Sequence, residues 1–435
     1  MSRSGQDQSH TRQAIMLIVS LFFLWGVANN LNDILIKQFQ KAFTLTQFQA
    51  GLVQMAFYMG YFLLAIPAGL VMRRYGYKTA VVIGLMLYGI GALLFYPAAQ
   101  MATYGMFLAA LFVIASGLGF LETAANPLIT VLGDPAESEQ RLNLAQSFNP
   151  LGSIAGLFIG QQFILSGIEH SETQLAGMSA LEKTAFYTRE TQAAAGPYVA
   201  IGLFVLCWAA FVAFTRFPPA ATRRAADDPD QLGWGEALSG LIHKKQLLLA
   251  VVAQFFYVGA QVGVWSYTIR FAQEATGMGE KTAASWVIAA LVAFVTGRFV
   301  GTALMTRVNP ARQMAAYAAI NVVLALIAVF TPGYPGLVAL TALSFFMSIM
   351  FPTIFALGVK GLGPYTQTGS SLIVMAIIGG AALTPVMGLI ADITQSMHMA
   401  ILVPAACFVV IAFYAFSNFR RGADIAARTA PARAH

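Results

Sequence analysis

The sequence predicts an all-α integral membrane protein whose twelve transmembrane helices form two six-helix bundles. Of its 435 residues, 58% are apolar and only 10% are charged, and the mean hydropathy is +0.69. Soluble proteins carry about 25% charged residues. Twelve apolar runs have the length needed to cross a bilayer, and a polar stretch near the middle separates them into two sets of six. This composition excludes an ordinary soluble enzyme, a disordered chain and a nucleic-acid-binding protein.

The apolar runs supply the predicted helices in order, with ends defined to within about 2–4 residues. The first six form a predicted N-terminal bundle, 1–215, and the last six a predicted C-terminal bundle, 247–435, joined by a cytoplasmic linker, 216–246. The twelve runs lie at 14–38, 48–72, 79–98, 103–130, 142–165, 197–215, 247–271, 282–306, 313–331, 335–359, 368–391 and 399–417.

Loop charge predicts the orientation. The formal net charge is +7, and the basic residues lie mostly in short loops. With both termini in the cytoplasm, 18 of the 25 Lys and Arg residues face the cytoplasm, six face the other side, and Arg298 lies within the membrane. Cytoplasmic loops carry the excess of Lys and Arg. We therefore expect a membrane protein with both termini in the cytoplasm and, because no cleavage site follows the first apolar run, no removable signal peptide.

The two halves resemble each other weakly. The segments 127–133 and 352–358 match at four of seven positions, 225 residues apart, and Gly152 and Gly160 of helix five mirror Gly380 and Gly388 of helix eleven. This order is typical of a duplicated six-helix transporter, whose substrate binds between the halves.

Three charged residues fall inside predicted helices, where charges are rare unless functional. Asp33 ends a polar cluster in helix one that includes Asn29, Asn30 and Asn32, while Glu122 lies among small residues in helix four. Desolvation favours the neutral form of a carboxyl group, so such residues can carry a proton at physiological pH. A structural hydrogen-bond patch around Asp33, or an ion pair between Glu122 and the third charged residue, Arg298, would explain the same positions.

Neutral polar and aromatic residues line two further helices. Asn143, Gln146 and Asn149 step by three along helix five, and a stripe on helix seven contains Gln254, Tyr257, Gln261 and Trp265. Amides donate and accept hydrogen bonds and aromatic rings stack on sugar rings, so this lining suits a neutral sugar. The alternative is that these amides only join helix to helix.

Several segments carry a resemblance to a known family. The loop from Gly69 to Lys78 resembles the loop motif of the major facilitator superfamily, with Arg73 in place of the usual Asp. Phe22–Asp33, Leu121–Pro127, Arg141–Asn149, Gln254–Arg270 and Phe351–Phe355 resemble the fucose–galactose–glucose proton symporter branch.

This resemblance implies the major facilitator fold, alternating access, and proton coupling through Asp33 and Glu122. It also implies substrate-binding roles for Asn30, Glu122, Gln146 and Asn149. In the L-fucose-transporting members we expect Tyr before the helix-ten proline, where this chain has Phe351. We expect structural or gating roles for Arg73, Arg74 and Arg298.

The sequence as a whole predicts a monomeric proton symporter, with no cofactor or metal, that imports L-fucose or a related sugar such as galactose, arabinose or glucose. Its sugar contacts are completed by Gln254, Tyr257, Gln261 and Phe351. Its partners are the sugar and the lipid bilayer. The alternatives are a sodium-coupled or uniport carrier, a sugar sensor, and a membrane enzyme with Asp33 and Glu122 as acid and base. The enzyme is disfavoured because no phosphate loop, nucleophile–base pair or metal-ligand spacing accompanies the carboxylates.

Overall fold

The computed structural model describes residues 13–27, 47–101, 103–132, 134–159, 179–222 and 234–429. These residues are almost entirely helical. In chain order the helices are α1 (Gln13–Val27), α2 (Gln47–Tyr75), α3 (Tyr77–Leu93), α4 (Phe95–Met101), α5 (Tyr104–Val131), α6 (Ser138–Gln146), α7 (Phe148–Ile159), α8 (Ala180–Phe214), α9 (Pro219–Thr222), α10 (Trp234–Ile242), α11 (Lys245–Thr276), α12 (Glu280–Leu304), α13 (Pro310–Phe330), α14 (Tyr334–Met347), α15 (Met350–Val359), α16 (Thr366–Met375), α17 (Gly379–Thr394), α18 (Met397–Ala400) and α19 (Leu402–Thr429).

Most of the predicted spans have a counterpart among these helices. Within the described residues, ten segments are long and apolar enough to cross a membrane, and α1 is a shorter apolar helix. The ten segments correspond to predicted helices two to four and six to twelve. The helix α1 lies in predicted helix one, while α6 and α7 lie in predicted helix five.

The helices pack into two compact units. The first lies within Met1–Leu132 and Phe148–Gln231, and the second within Gly133–Ser147 and Leu232–His435. The helix α6 therefore belongs to the second unit, although it lies between α5 and α7 in the chain.

Glycines bring helix backbones of the first unit into direct contact. A Cβ atom at Gly26 of α1 would overlap the carbonyl oxygen of Asn149 in α7, and one at Gly152 of α7 would overlap the carbonyl oxygen of Phe23. Small residues at helix crossings allow this close approach within a membrane. The pair of contacts holds Asn149 against α1.

Predicted helix ten is interrupted in the structure. Ser348 and Ile349 separate α14 from α15, whereas the apolar run from 335 to 359 predicts one continuous helix. The interruption comes four residues before Pro352, which has no N–H and whose ring crowds the carbonyl one turn earlier. Hydropathy does not detect such a break because the residues around it remain apolar.

Predicted helix six begins much earlier than its apolar run. The run starts at residue 197, but α8 starts at Ala180. Ser179 and Glu182 form a capping box, in which each side chain binds the backbone N–H of the other residue. Helix-forming residues follow this cap, so between four and five turns of more polar helix precede the apolar part.

Candidate functional site

Glu122 is a buried carboxylate of the first unit. It lies on α5 with 5% of its surface exposed, surrounded by buried residues of the same helix. Asn126, one turn further along α5, lies within hydrogen-bonding reach, and the Tyr61 hydroxyl of α2 is close enough for electrostatic interaction. Among the described residues of the first unit, no Lys or Arg forms an ion pair with Glu122. Such a carboxyl group can exchange a proton without breaking an ion pair in that unit.

Tyr61 and Trp25 form a hydrogen-bonded pair next to this carboxylate. The Trp25 indole N–H donates to the Tyr61 hydroxyl oxygen at 2.8 Å, and both residues are buried. Phe22 stacks on Trp25 and Phe57 packs against Tyr61, with ring centroids 5.5 and 5.4 Å apart. Sequence reasoning did not assign a site role to Tyr61. The sequence does place this hydroxyl-bearing aromatic residue next to Gly60, and a glycine in a membrane helix indicates a close helix crossing. In the structure α2 and α5 pack closely at Gly60.

The helix-one cluster lies outside the described residues. Asn30 and Asp33 fall within 28–46, so the structure does not place them. Asn149 is described, half-buried at the start of α7 and close to Gly26.

The second unit contains buried polar atoms with no hydrogen-bond partner among the described residues. Gln254 and Tyr257 of α11 are fully buried. Within the described part of the chain, neither amide atom of Gln254 nor the Tyr257 hydroxyl has a hydrogen-bond partner. Buried polar groups in proteins are nearly always satisfied by protein or water. These three atoms are free, among the described residues, to pair with water or a bound polar molecule.

Phe351 lies beside this group. Its ring centroid is 6.0 Å from that of Tyr257, in an edge-to-face arrangement, at the start of α15. An aromatic face next to unpaired amide and hydroxyl groups is typical of small-molecule sites.

Gln261 and Trp265 continue the same stripe and are half-buried. The Trp265 indole N–H donates to Ser344 Oγ at 3.2 Å, and its ring packs against Phe294. Trp265 therefore already has a protein partner, whereas Gln254 and Tyr257 have none within the part of the chain that the structure describes.

Arg298 is buried in the second unit with 4% exposure. Its Nε donates to the Ser348 carbonyl oxygen at 2.7 Å, and its Nη1 donates to the Gln146 carbonyl oxygen at 3.1 Å. The guanidinium also lies over the Phe294 ring, 4.7 Å from its centroid. The structure thus brings Arg298 and Gln146 together.

Lys78, in the first turn of α3, connects the basic segment after α2 to the end of α8. Its Nζ donates to the carbonyl oxygens of Ala213 and Thr215 at 2.7 and 2.9 Å, at the end of α8. A cation at a helix C-terminus satisfies orphan carbonyls and favours the helix dipole. Arg73 is largely buried, while Arg74 is exposed and lies over Tyr75.

No group of three or more His, Cys, Asp or Glu side chains among the described residues could hold a metal ion. The polar atoms of Gln254 and Tyr257 in the second unit suit an uncharged hydroxyl-rich ligand, and the buried carboxyl group of Glu122 in the first unit suits a proton.

Residues 15–376 match the sequence profile of the Major Facilitator Superfamily. The chain belongs to this superfamily. The match covers most of the chain, so the predicted twelve-helix, two-bundle fold of a multi-pass membrane protein is confirmed.

Known superfamily members resemble this chain over nearly its whole length. An L-fucose-proton symporter of Escherichia coli K12 is 48% identical over 419 residues, covering 96% of this chain and 95% of its own. A glucose/galactose transporter of Brucella abortus is 36% identical, covering 92% and 93%. A crystal structure of the superfamily transporter FucP in an outward conformation has a TM-score of 0.86 at 48% identity, covering 93% and 98%. The resemblance to the fucose–galactose–glucose branch is confirmed.

Proposed function

We propose that this superfamily member is a proton-coupled symporter that imports a neutral monosaccharide, L-fucose or a related sugar, by alternating access. The L-fucose-proton symporter that it resembles at 48% identity supports this function. The structural observation that carries it is the fully buried Gln254 and Tyr257, whose polar atoms lack partners among the described residues. Sugar hydroxyls can donate to and accept from these atoms, and the adjacent Phe351 ring offers an apolar surface for the sugar ring.

The remaining site residues receive roles from the same proposal. Asp33 and Glu122 exchange the coupling proton, and Glu122 also binds a sugar hydroxyl. Asn30, Gln146, Asn149 and Gln261 contribute further hydrogen bonds, and Arg73, Arg74 and Arg298 have structural or gating roles. The protein works as a monomer in a bacterial inner membrane with both termini in the cytoplasm, and it needs no cofactor.

Burial supplies the physical link between proton and sugar. Moving an unpaired carboxylate through a closed site costs several kcal/mol, so the loaded transporter closes readily only when the carboxyl group is protonated. Each proton that enters releases about 2.3 kcal/mol per 100 mV of membrane potential. That energy drives the sugar inward.

Transport in proteoliposomes tests the substrate. Labelled L-fucose, D-galactose, D-arabinose and D-glucose are offered in counterflow, and at least one should exchange faster than in protein-free liposomes. No exchange of any of the four would contradict the substrate class.

Proton movement tests the coupling. Adding the transported sugar to lightly buffered, de-energised cells should make the medium more alkaline, and a protonophore should abolish accumulation. If accumulation instead follows an imposed sodium gradient and the pH of the medium does not change, the coupling ion is sodium and not the proton.

A further inference from the structure

Two prolines leave backbone carbonyls of the second unit without their helical donors. In an α-helix, each carbonyl accepts from the N–H four residues later. The residue four positions after Ser348 is Pro352, and the residue four positions after Gln146 is Pro150. Proline has no N–H. Both carbonyls therefore need a donor from elsewhere.

Arg298 supplies that donor at both places. Its Nε–H donates to the Ser348 carbonyl at 2.7 Å and its Nη1–H to the Gln146 carbonyl at 3.1 Å. The first carbonyl follows the end of α14, and the second belongs to the last residue of α6. One planar guanidinium thus connects the C-terminal ends of two helices.

A glycine makes this reach possible. Gly297 precedes Arg298 on α12, and a Cβ atom there would overlap the Phe345 carbonyl oxygen of α14. The two backbones are therefore in contact one residue before the arginine, which places the guanidinium beside the end of α14. The Phe294 ring covers another part of the guanidinium.

The same guanidinium orients the side chain of Gln146, a residue proposed to bind the sugar. Nη1 lies 3.4 Å from the Gln146 side-chain oxygen as well as 3.1 Å from its carbonyl. Holding the Oε1 end toward Arg298 leaves the amide NH₂ of Gln146 to point elsewhere. Phe351 follows Ser348 by three residues, so the bond from Arg298 to the Ser348 carbonyl also fixes the start of α15.

We propose that Arg298 is a positioning residue. It bridges the two carbonyls that Pro150 and Pro352 deprive of backbone donors, and it thereby holds Gln146 and Phe351 in their sugar-binding positions. The bridge itself depends only on the structure, whereas its effect on sugar binding depends on the proposed function. Lysine can replace it only in part because a single ammonium lacks the flat array of donors that reaches both carbonyls.

A double-mutant cycle in detergent tests the bridge without any sugar. Arg298→Met keeps most of the side-chain bulk but removes the donors, while Pro352→Ala restores a backbone N–H for the Ser348 carbonyl. Arg298→Met should lower the melting temperature in the otherwise unchanged protein, and it should lower it clearly less in the Pro352→Ala background. Pro385→Ala, in α17, is the matched control and should leave the effect of Arg298→Met unchanged. Equal losses in all three backgrounds would overturn the bridge.

Sugar affinity tests the positioning role. At a temperature where all variants are folded, calorimetry should show sugar binding about ten- to a hundredfold weaker in Arg298→Met, the range expected for losing charge-assisted hydrogen bonds. Arg298→Lys should recover the melting temperature in part but leave affinity low. Unchanged affinity in Arg298→Met, despite coupling in the thermal cycle, would restrict Arg298 to a structural role. If the otherwise unchanged protein binds no sugar, the proposed function fails while the thermal cycle still decides the bridge.

Discussion

Single residues carry the proton chemistry that we propose for this protein. Glu122 is buried beside the Trp25–Tyr61 pair, and the described residues of the first unit give it no cationic partner. A carboxyl group in this setting is stable when protonated and unstable when charged. Its protonation state therefore follows the state of the site around it.

Replacing either proposed coupling carboxyl with its amide should separate exchange from accumulation. Glu122→Gln and Asp33→Asn keep the side-chain shape but cannot release a proton. Uphill uptake should be lost in each variant while counterflow survives in part. Uptake is measured with labelled sugar in energised vesicles. If one variant still takes up sugar against a gradient, the residue replaced in it is not a coupling residue.

Tyr61→Phe tests the pair beside Glu122. The substitution deletes the hydroxyl oxygen that accepts from Trp25 at 2.8 Å, which leaves a buried indole N–H unpaired. Such a group costs about 1–3 kcal/mol. Thermal denaturation in detergent should show a clear loss of stability, whereas Tyr96→Phe, on an exposed face, should show almost none. Equal melting temperatures for the two variants would contradict the buried pair.

At the scale of helices, the position of α6 depends on contacts far away in sequence. The Lys360 ammonium donates to the Glu139 carboxylate at 2.6 Å, and the Asn143 amide donates to Thr353 Oγ1 at 3.1 Å. Lys360 is half exposed while Glu139 is buried. These contacts, with those of Arg298, place α6 in the second unit.

Lys360→Met should destabilise this attachment. It leaves the buried Glu139 carboxylate without its ion-pair partner, and since the lysine is half exposed we expect a loss of about 1–2 kcal/mol. In a Glu139→Gln background, Lys360→Met should lower the stability much less, because no buried carboxylate is then left unpaired. Chemical or thermal unfolding of the four variants of the cycle measures the coupling. Arg312→Met, at an exposed position, is the control, and a loss of the same size there would argue against a specific pair.

The start of α8 should respond to pH. Hydrogen bonds from the Ser179 backbone N–H and side chain lower the pKa of the Glu182 carboxyl. A carboxyl whose pKa is lowered on folding stabilises the cap above its ordinary pKa, and that stabilisation is lost as the pH falls through the folded-state pKa.

Hydrogen exchange, expressed as protection factors, measures this effect. Protection at the start of α8 should fall on acidification, and Glu182→Gln should reduce it at neutral pH. If protection at the start of α8 does not change with pH, and if Ser179→Ala has the same protection as the unchanged protein, the capping box does not stabilise the start of α8.

At the scale of the whole molecule, the distribution of basic residues predicts orientation. Eighteen Lys and Arg residues fall in the segments assigned to the cytoplasm and six in those assigned to the opposite side. The described helices have the length and apolar character of membrane spans, and the positive-inside rule predicts that both termini are cytoplasmic.

Cysteine labelling in intact cells tests it. In a Cys207→Ala, Cys407→Ala background, Asp228→Cys in the linker should resist a membrane-impermeant maleimide, while Glu182→Cys before predicted helix six should react. After the membrane is permeabilised, both should react. The reverse pattern in intact cells would invert the topology.

The sequence by itself determined the membrane character, the helical fold class and the superfamily, because hydropathy and short motifs are local properties. It also singled out Glu122, Gln254 and Arg298 as polar residues in apolar surroundings. Only the tertiary structure decided which groups they meet. The Trp25–Tyr61 bond and the bridge from Arg298 to Gln146 and Ser348 join residues far apart in the chain. Packing also leaves the Gln254 amide without a partner among the described residues. Hydrogen bonds depend on distances of about 3 Å, and those distances are set by how helices pack rather than by sequence periodicity.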